Sequence, residues 1–265
     1  MFNYLVDYHV HTHNSFDSTE TMLGHCERAV EMGLKEIVFT EHFDLNPYDE
    51  GLGHFNYEKY AKEIGECREV YGDKILIKKG LELGEPHLYK TRHEEMLKDK
   101  DFDFLLGSVH YLGDTVLHSD YTGRKEEVVY EQFFSEVLNS AKKGDFHILG
   151  HIDVLKRYVP SNYKKFMAKD HEEMIREILK ETIKNDKGIE VNTSGIRQAV
   201  GDYLPTLEIV KWYHELGGNI ITVGSDAHTA KHVGMHIKEA IDALREMGFK
   251  TISTYTKGQR SEVRI

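Results

Sequence analysis

Cysteine, positive charge and long apolar runs are all in short supply in this chain of 265 residues. The two cysteines, Cys26 and Cys67, fall in helix-like segments and form no CxxC pair. That argues against a disulfide framework and against a thiolate metal site, and a reducing compartment is the simpler expectation. No uninterrupted apolar stretch is long enough to span a bilayer. The start, Met1-Phe2-Asn3-Tyr4, enters a strand without the basic and apolar regions of a signal peptide, so a cytoplasmic protein is expected. Lysine and arginine total 34 against 45 acids, a net charge of −11. A nucleic-acid or anionic-membrane surface needs a basic footprint, so neither partner is expected. A small anion held by metal ions and one or two local arginines is not excluded. Linkers, repeats and low-complexity stretches are missing too, which leaves one domain over residues 1–265 and says nothing of its oligomeric state.

What the chain does have is histidine, with 17 copies spread along its length. It also alternates strand and helix. β-rich runs recur at Tyr4–His9, Glu36–Thr40, Ile75–Leu81, Phe104–Val109, His147–Gly150, Ile189–Asn192 and Asn219–Gly224, with Thr251–Tyr255 as a possible eighth or an extension near the C-terminus. Between them lie helical periodicities such as Met22-Cys26-Ala29-Val30 and Ile237-Ala240-Ile241-Leu244. Gly33, Gly72, Gly144, Gly188, Gly217 and Gly248 stand where helices should end, and glycine suits the left-handed closing position. The segments Asp114–Glu127 and Lys156–Lys169 read as long loops. Strand–helix alternation implies an α/β fold with parallel strands.

The strand ends carry the chemistry. The first gives His9 and His11, with His13 and Asp17 in the loop beyond; the second gives Glu41 and His42; the next three end in Glu82, His110 and His151. The sixth runs out as Asn192-Thr193-Ser194-Gly195-Ile196-Arg197, and the seventh as Gly224-Ser225-Asp226-Ala227-His228. In a barrel all parallel strands point their C-terminal ends at one face, where barrel active sites form, whereas an open sheet would spread these residues along an edge. A barrel is therefore expected. Any one histidine at a strand end is more often a hydrogen-bonded structural residue, but that reading cannot account for every strand end at once. His9 and His11, like Asp226 and His228, have the two-residue spacing that puts donors on one side of a strand. Imidazole with carboxylate suits zinc, manganese or iron. His25, His93, His171, His214, His232 and His236 are expected on solvated helix faces and His13 just outside the ligand set, while His54, His87 and His118 fall in or near the top-face loops, where they could touch substrate or serve only the loops. Glu41 and Asp153 are expected to orient ligand imidazoles.

The runs Asp7-Tyr8-His9-Val10-His11-Thr12, Thr40-Glu41-His42, Gly80-Leu81-Glu82, Ser108-Val109-His110, Gly150-His151 and Gly224-Ser225-Asp226-Ala227-His228 together resemble the PHP (polymerase and histidinol phosphatase) superfamily, in family order over nearly the whole chain. The resemblance implies a distorted (β/α)7 barrel with the active site at the C-terminal strand ends and a cluster of two to three divalent ions. It implies that His9, His11, Glu82 and Asp226 hold one ion, that Glu82 bridges to a second completed by His110 and His151, and that Asp17, His42 and His228 hold a third. Many members have histidine where this chain has Asp17. The segments Gly150–Arg157 and Glu190–Arg197 look like those of the monofunctional bacterial histidinol-phosphate phosphatases, which implies phosphate binding by Arg157 and Arg197, with Ser194 beside them.

The expected reaction follows from that chemistry. Clustered ions lower the pKa of bound water and neutralise phosphoryl oxygens, while arginine offers a fork of donors matched to phosphate. Glu82 and Asp226, with the two arginines, would carry hydrolysis of a small phosphate monoester by metal-bound hydroxide, and the resemblance around Arg157 and Arg197 implies that this ester is L-histidinol phosphate, in histidine biosynthesis. Acidic and aromatic residues after the second strand (Asp44, Asp49, Glu50 and His54 beside Phe43, Phe55 and Tyr57) could face its cationic half, or merely solvate a loop. Phosphotyrosine, nucleotide or sugar phosphate substrates, a metal-dependent amidohydrolase and a non-catalytic PHP module are the alternatives.

Overall fold

The structure, a computed structural model, describes residues 4–265; Met1–Asn3, on which the reading of the chain's start depends, lie outside the described residues. Eleven strands and seven helices follow in the order β1 (Val6–Val10), α1 (Met22–Glu31), β2 (Glu36–Phe43), α2 (Tyr57–Tyr71), β3 (Leu76–Gly84), α3 (Lys90–Leu97), β4 (Phe104–Ser108), β5 (Tyr111–Leu112), β6 (Thr115–Val116), α4 (Glu126–Lys143), β7 (Ile148–Leu149), α5 (Glu172–Lys184), β8 (Gly188–Asn192), α6 (Leu207–Glu215), β9 (Ile221–Gly224), α7 (Ile237–Met247), β10 (Thr251–Thr256) and β11 (Gln259–Arg264).

Seven strands form one parallel sheet in the order β1-β2-β3-β4-β7-β8-β9. A parallel bridge between Val10 and Ala227 brings its two edges together. There the His11 N–H donates to the Ala227 carbonyl at 2.9 Å and the Asp226 N–H to the His9 carbonyl at 2.7 Å. The result is a nearly closed barrel with helices between its strands, as expected. These strands are buried on both faces, polar residues such as Asp7, His9 and Glu190 included. Ile148, Ile189, Val191, Ile221 and Val223 join the inner faces of α4 to α7 in one core.

Thr251–Thr256 is not an eighth barrel strand. It pairs antiparallel with β11, and this hairpin covers the N-terminal end of the barrel, where the Tyr255 N–H donates to Tyr8 Oη (2.9 Å) and the Lys257 N–H to Asp103 Oδ1 (2.9 Å). Within the expected 114–127 loop, β6 pairs with β5 in a short hairpin. Local chemistry starts some helices visibly: the Thr21 hydroxyl accepts from the Gly24 N–H, and the Asn56 side chain from the Lys59 N–H. Gly33, Gly217 and Gly248 adopt the expected left-handed conformation. Gly72 and Gly144 do not, and Gly188 already belongs to β8. At Gly188 space is the constraint, because a Cβ would come within 2.3 Å of the Ile220 carbonyl oxygen. Cys26 on α1 and Cys67 on α2 are free and buried, and hydrogen bonding to Cys67, together with burial, raises the Cys26 thiol. No helix among the described residues is long and apolar enough to cross a membrane.

Candidate metal centre

The barrel delivers all nine expected ligand residues to one place. Glu82, at 1 % exposure, is the hub. Its Oε2 lies 3.3 Å from His9 Nε2, 3.4 Å from His11 Nε2 and 3.2 Å from His42 Nδ1. Its Oε1 lies 2.8 Å from His151 Nε2 and 3.3 Å from His110 Nε2, and it accepts the Ser108 hydroxyl at 2.6 Å. Asp226 Oδ1 stands 3.8 Å from His9 Nε2 and 3.6 Å from His11 Nε2. Asp17 Oδ2 is 3.0 Å from His228 Nε2 and 3.5 Å from His42 Nε2. Donor atoms converge in four sets: His9, His11 and Asp226; His9, Glu82 and His151; His42, Glu82 and His110; and His11, His42 and His228. These overlap the three expected ligand groups, with His9, His11, His42 and Glu82 each shared between two sets and Asp17 in none of them.

The protonation pattern shows that this cluster suits cations. His9 Nδ1 faces Glu190 Oε1 at 2.6 Å, so it carries the proton. His11 Nδ1 faces Ser15 Oγ at 3.1 Å. That hydroxyl gives its hydrogen to Glu41 at 2.6 Å, so His11 Nδ1 must be its donor. With both rings neutral, His9 and His11 would aim lone pairs at each other across the 2.9 Å between their Nε2 atoms, beside two carboxylates. A proton on His9 or a metal ion relieves that arrangement. The charges agree: burial opposes ionisation of Glu82, yet His9, His110 and His42 hold it well below the ordinary carboxylate range. Burial likewise opposes charge on His9, but Glu190, Glu82 and Asp226 raise it well above the usual imidazole value. Burial and the neighbouring His42 and His228 depress His11. Asp226 sits at a φ of 52°, unusual for an L side chain, and its backbone is held by His9 and Arg197.

Beside the cluster opens a pocket of about 290 Å³, whose lining includes Phe16, Asp49, Glu50, His118, Arg157 and Tyr158. Arg157 Nη1 lies 3.9 Å from Asp226 Oδ2. Arg197 is set behind: its Nη2 donates to the Ser225 (2.6 Å) and Asp226 (2.8 Å) carbonyls, while its buried Nη1 has no partner among the described residues. The Ser194 hydroxyl is likewise buried without a partner among them. Of the residues expected to face the organic half, Asp44, Asp49 and Glu50 line the pocket. Phe43 packs in the core with Phe55, Tyr57 bonds Asp101, and exposed His54 reaches only the His13 carbonyl. His118 lines the pocket, whereas His87 pairs with Glu136 at 2.7 Å.

Several expectations need correcting. Asp153 does not orient His151; it pairs with Lys156 Nζ at 2.9 Å and accepts the Thr206 N–H, fastening one loop to another. Glu41 acts at one remove, through Thr12 and Ser15. His25 and His93 are buried, not solvated: His25 Nδ1 approaches the Thr21 carbonyl at 2.9 Å, and His93 packs against the Phe43 and Tyr89 rings. His13 bonds Glu63 at 3.0 Å, bracing the loop that carries Asp17. The sequence reading missed Glu190 and Glu85. Glu85 accepts the His110 N–H at 2.6 Å and the Tyr111 N–H at 3.1 Å, and burial, partly offset by His110, pushes its carboxyl up to about 7. Their one sequence signal is an acid on a ligand-bearing strand or just past its end.

A model of the PHP domain family matches residues 7–194. A histidinol-phosphatase of Lactococcus lactis is 30 % identical over 256 residues, covering 95 % of this chain and 94 % of the relative. The crystal structure of histidinol phosphate phosphatase from L. lactis, complexed with zinc, L-histidinol and phosphate, superposes with a TM-score of 0.90 at 29 % identity, over 97 % of this chain and 99 % of that one. A structure from work on metal-dependent tyrosine phosphatases of Bacillus subtilis and Streptococcus pneumoniae has a TM-score of 0.51 at 13 % identity, covering 91 % of this chain and 87 % of that one, a likeness of fold alone.

Proposed function

The chain belongs to the PHP domain family, and from that premise we propose that it is a metal-dependent histidinol-phosphatase, releasing L-histidinol and phosphate from L-histidinol phosphate. The observation that carries this reading is the 0.90 TM-score over nearly the full length of both chains with a structure holding zinc, L-histidinol and phosphate. The convergence of His9 and His11 Nε2 on Glu82 supports its metal dependence independently.

Two to three divalent ions, zinc, manganese or iron, would be held by His9, His11, Asp17, His42, Glu82, His110, His151, Asp226 and His228. Such ions supply Lewis acidity toward phosphoryl oxygens and make water a nucleophile near neutral pH. The protein's own residues do the rest. Arg157, at the pocket wall, offers its guanidinium fork to the phosphate dianion. Arg197 fixes the strained Asp226 backbone through two carbonyls and keeps a free Nη1 for phosphate, with the Ser194 hydroxyl nearby in the chain. Asp49 and Glu50 give the pocket an acidic side suited to the amine and imidazole of the substrate. A biosynthetic phosphatase with both thiols free fits the cytoplasm.

Phosphate release by zinc- or manganese-loaded protein tests the substrate. L-histidinol phosphate should be hydrolysed far more efficiently than phosphotyrosine, glucose 6-phosphate or AMP, because a pocket with buried polar groups rejects substrates that leave them unpaired. Equal or higher kcat/KM for any competitor would overturn the substrate and leave the phosphoesterase reading standing.

A further inference from the structure

Glu190, a buried carboxylate on β8, touches two residues of the metal centre without pointing into it. Its Oε1 lies 2.6 Å from His9 Nδ1 on β1, and its Oε2 accepts the backbone N–H of His151, just past β7, at 3.0 Å. The residue is 1 % exposed. Strand β9 stands between β8 and β1, so the carboxylate has to pass β9 to reach His9. It does so at Gly224, where a Cβ would lie 2.6 Å from Glu190 Oε1 and 2.4 Å from His9 Cβ. The Gly-Ser-Asp-Ala-His run at the end of β9 thus needs its glycine to let a carboxylate through. The two residues that Glu190 touches, together with Glu82, make up one of the convergent donor sets.

We propose that Glu190 is the positioning residue of that set, locking His9 as the Nδ1–H tautomer with its Nε2 lone pair turned to the ion, and anchoring the backbone that presents His151. The inference rests on the metal-dependent reading above. The chemistry requires a carboxylate. Both partners are donors, and a carboxylate accepts from each with a separate oxygen. A glutamine has one acceptor and one donor, so one partner would face an N–H. If the amide NH2 turned to His9, it would favour the opposite tautomer and cover the lone pair that binds metal. Partners of this kind usually change metal affinity by about 10–100-fold.

The test is Glu190→Gln, prepared as full-length protein, stripped of metal and titrated with zinc against a chromophoric chelator. Zinc affinity should fall by about 10–100-fold, and the loss of kcat/KM at limiting zinc should shrink at saturating zinc, since Glu190 does not touch substrate. A purely structural role predicts the same loss of activity at every zinc concentration and unchanged affinity, and that result overturns the proposal. Wild-type protein labelled with ¹⁵N-histidine supplies a second readout that survives if the variant does not fold. In its zinc-loaded form His9 should show a protonated Nδ1, with the proton shifted downfield by the short bond to Glu190. An unprotonated Nδ1 overturns the assignment. Wild-type protein that takes up no zinc overturns the function proposed above and this role with it, whereas zinc binding equal in wild type and variant overturns the role alone.

Discussion

The two ends of the barrel bury charge in opposite ways. At the N-terminal end Glu36 accepts Tyr8 Oη at 2.7 Å and Tyr4 Oη at 2.8 Å, and pairs with Lys78 Nζ at 2.6 Å. Lys78 also donates to Tyr8, and the hairpin of β10 and β11 closes over them. This network is neutral as a pair and complete. At the C-terminal end Glu82 and Asp226 face imidazoles whose Nε2 atoms approach one another to 2.9 Å, with Arg157 no closer than an ion-pair distance of 3.9 Å. That network is complete only with added positive charge. Burial alone therefore does not mark a functional site; what marks it is a buried polar set that the protein's own atoms do not satisfy.

The largest effect should come from Glu82→Gln. It removes the carboxylate whose two oxygens lie among five imidazoles, so bound metal should fall and kcat/KM should drop by about a thousandfold or more, the several kcal/mol expected of metal-assisted charge stabilisation. Elemental analysis beside phosphate release checks both. Wild-type metal content and activity in the variant would sink the hub role of Glu82. The matching change at the other end, Glu36→Gln, leaves Lys78 buried without its partner. It should cost about 3–5 kcal/mol of stability with metal content per folded chain unaltered. Urea denaturation decides it, and an unchanged midpoint would erase the contrast between the two ends.

A third comparison separates the two arginines from the metal ligands. Arg157→Ala or Arg197→Ala should each lower kcat/KM by about ten- to a hundredfold, matching roughly 1.5–3 kcal/mol per charge-assisted contact, with metal content intact. Arg197 also braces the Asp226 backbone, so Arg197→Lys, which keeps charge but loses the fork, should recover less than Arg157→Lys. Equal rescue at both positions would assign Arg197 no bracing role.

How much of this was legible beforehand follows the range of the interactions. Strand ends announce themselves, because an apolar run that stops at His9, Glu82, His110 or His151 is a local pattern, and parallel topology sends every such end to one face. The last run stays open in the sequence for the same reason in reverse: Thr251–Thr256 has strand composition, and its partner is the neighbouring β11 rather than the barrel, a pairing that composition does not specify. His25 and His93 were misread because helical position does not reveal which face packs inward. Asp153 sits next to a ligand in sequence yet turns to Lys156, while Glu190 is far from His9 in sequence and reaches it only because Gly224 leaves room. Contacts across the barrel depend on closure, which no local window contains.

The smallest expected effect is a pH dependence that only the metal-free protein should show. Burial lowers His9, His42 and His110, but nearby carboxylates outweigh it, Glu190 most for His9 and Glu82 most for His42 and His110. All three end above the ordinary imidazole value, with His42 raised to about 9. The unfolded value is about 6.5. Folding therefore binds protons, so the stability His42 contributes is fully present below about 6.5 and is lost as pH rises through about 9, and His9 and His110 act in the same direction. His11, His25 and His93 are held low by burial and weaken the fold only below about 6.5, so they do not mask the trend. Bound divalent ions take the place of those protons, and the slope should vanish. Calorimetry of stripped protein from about pH 6.5 to 9 should show Tm falling by roughly a few degrees, against a nearly level Tm for zinc-loaded protein. A level or rising Tm in the stripped protein would mean that the imidazoles need no positive charge, and the contrast between the closed and the open end of the barrel would fail.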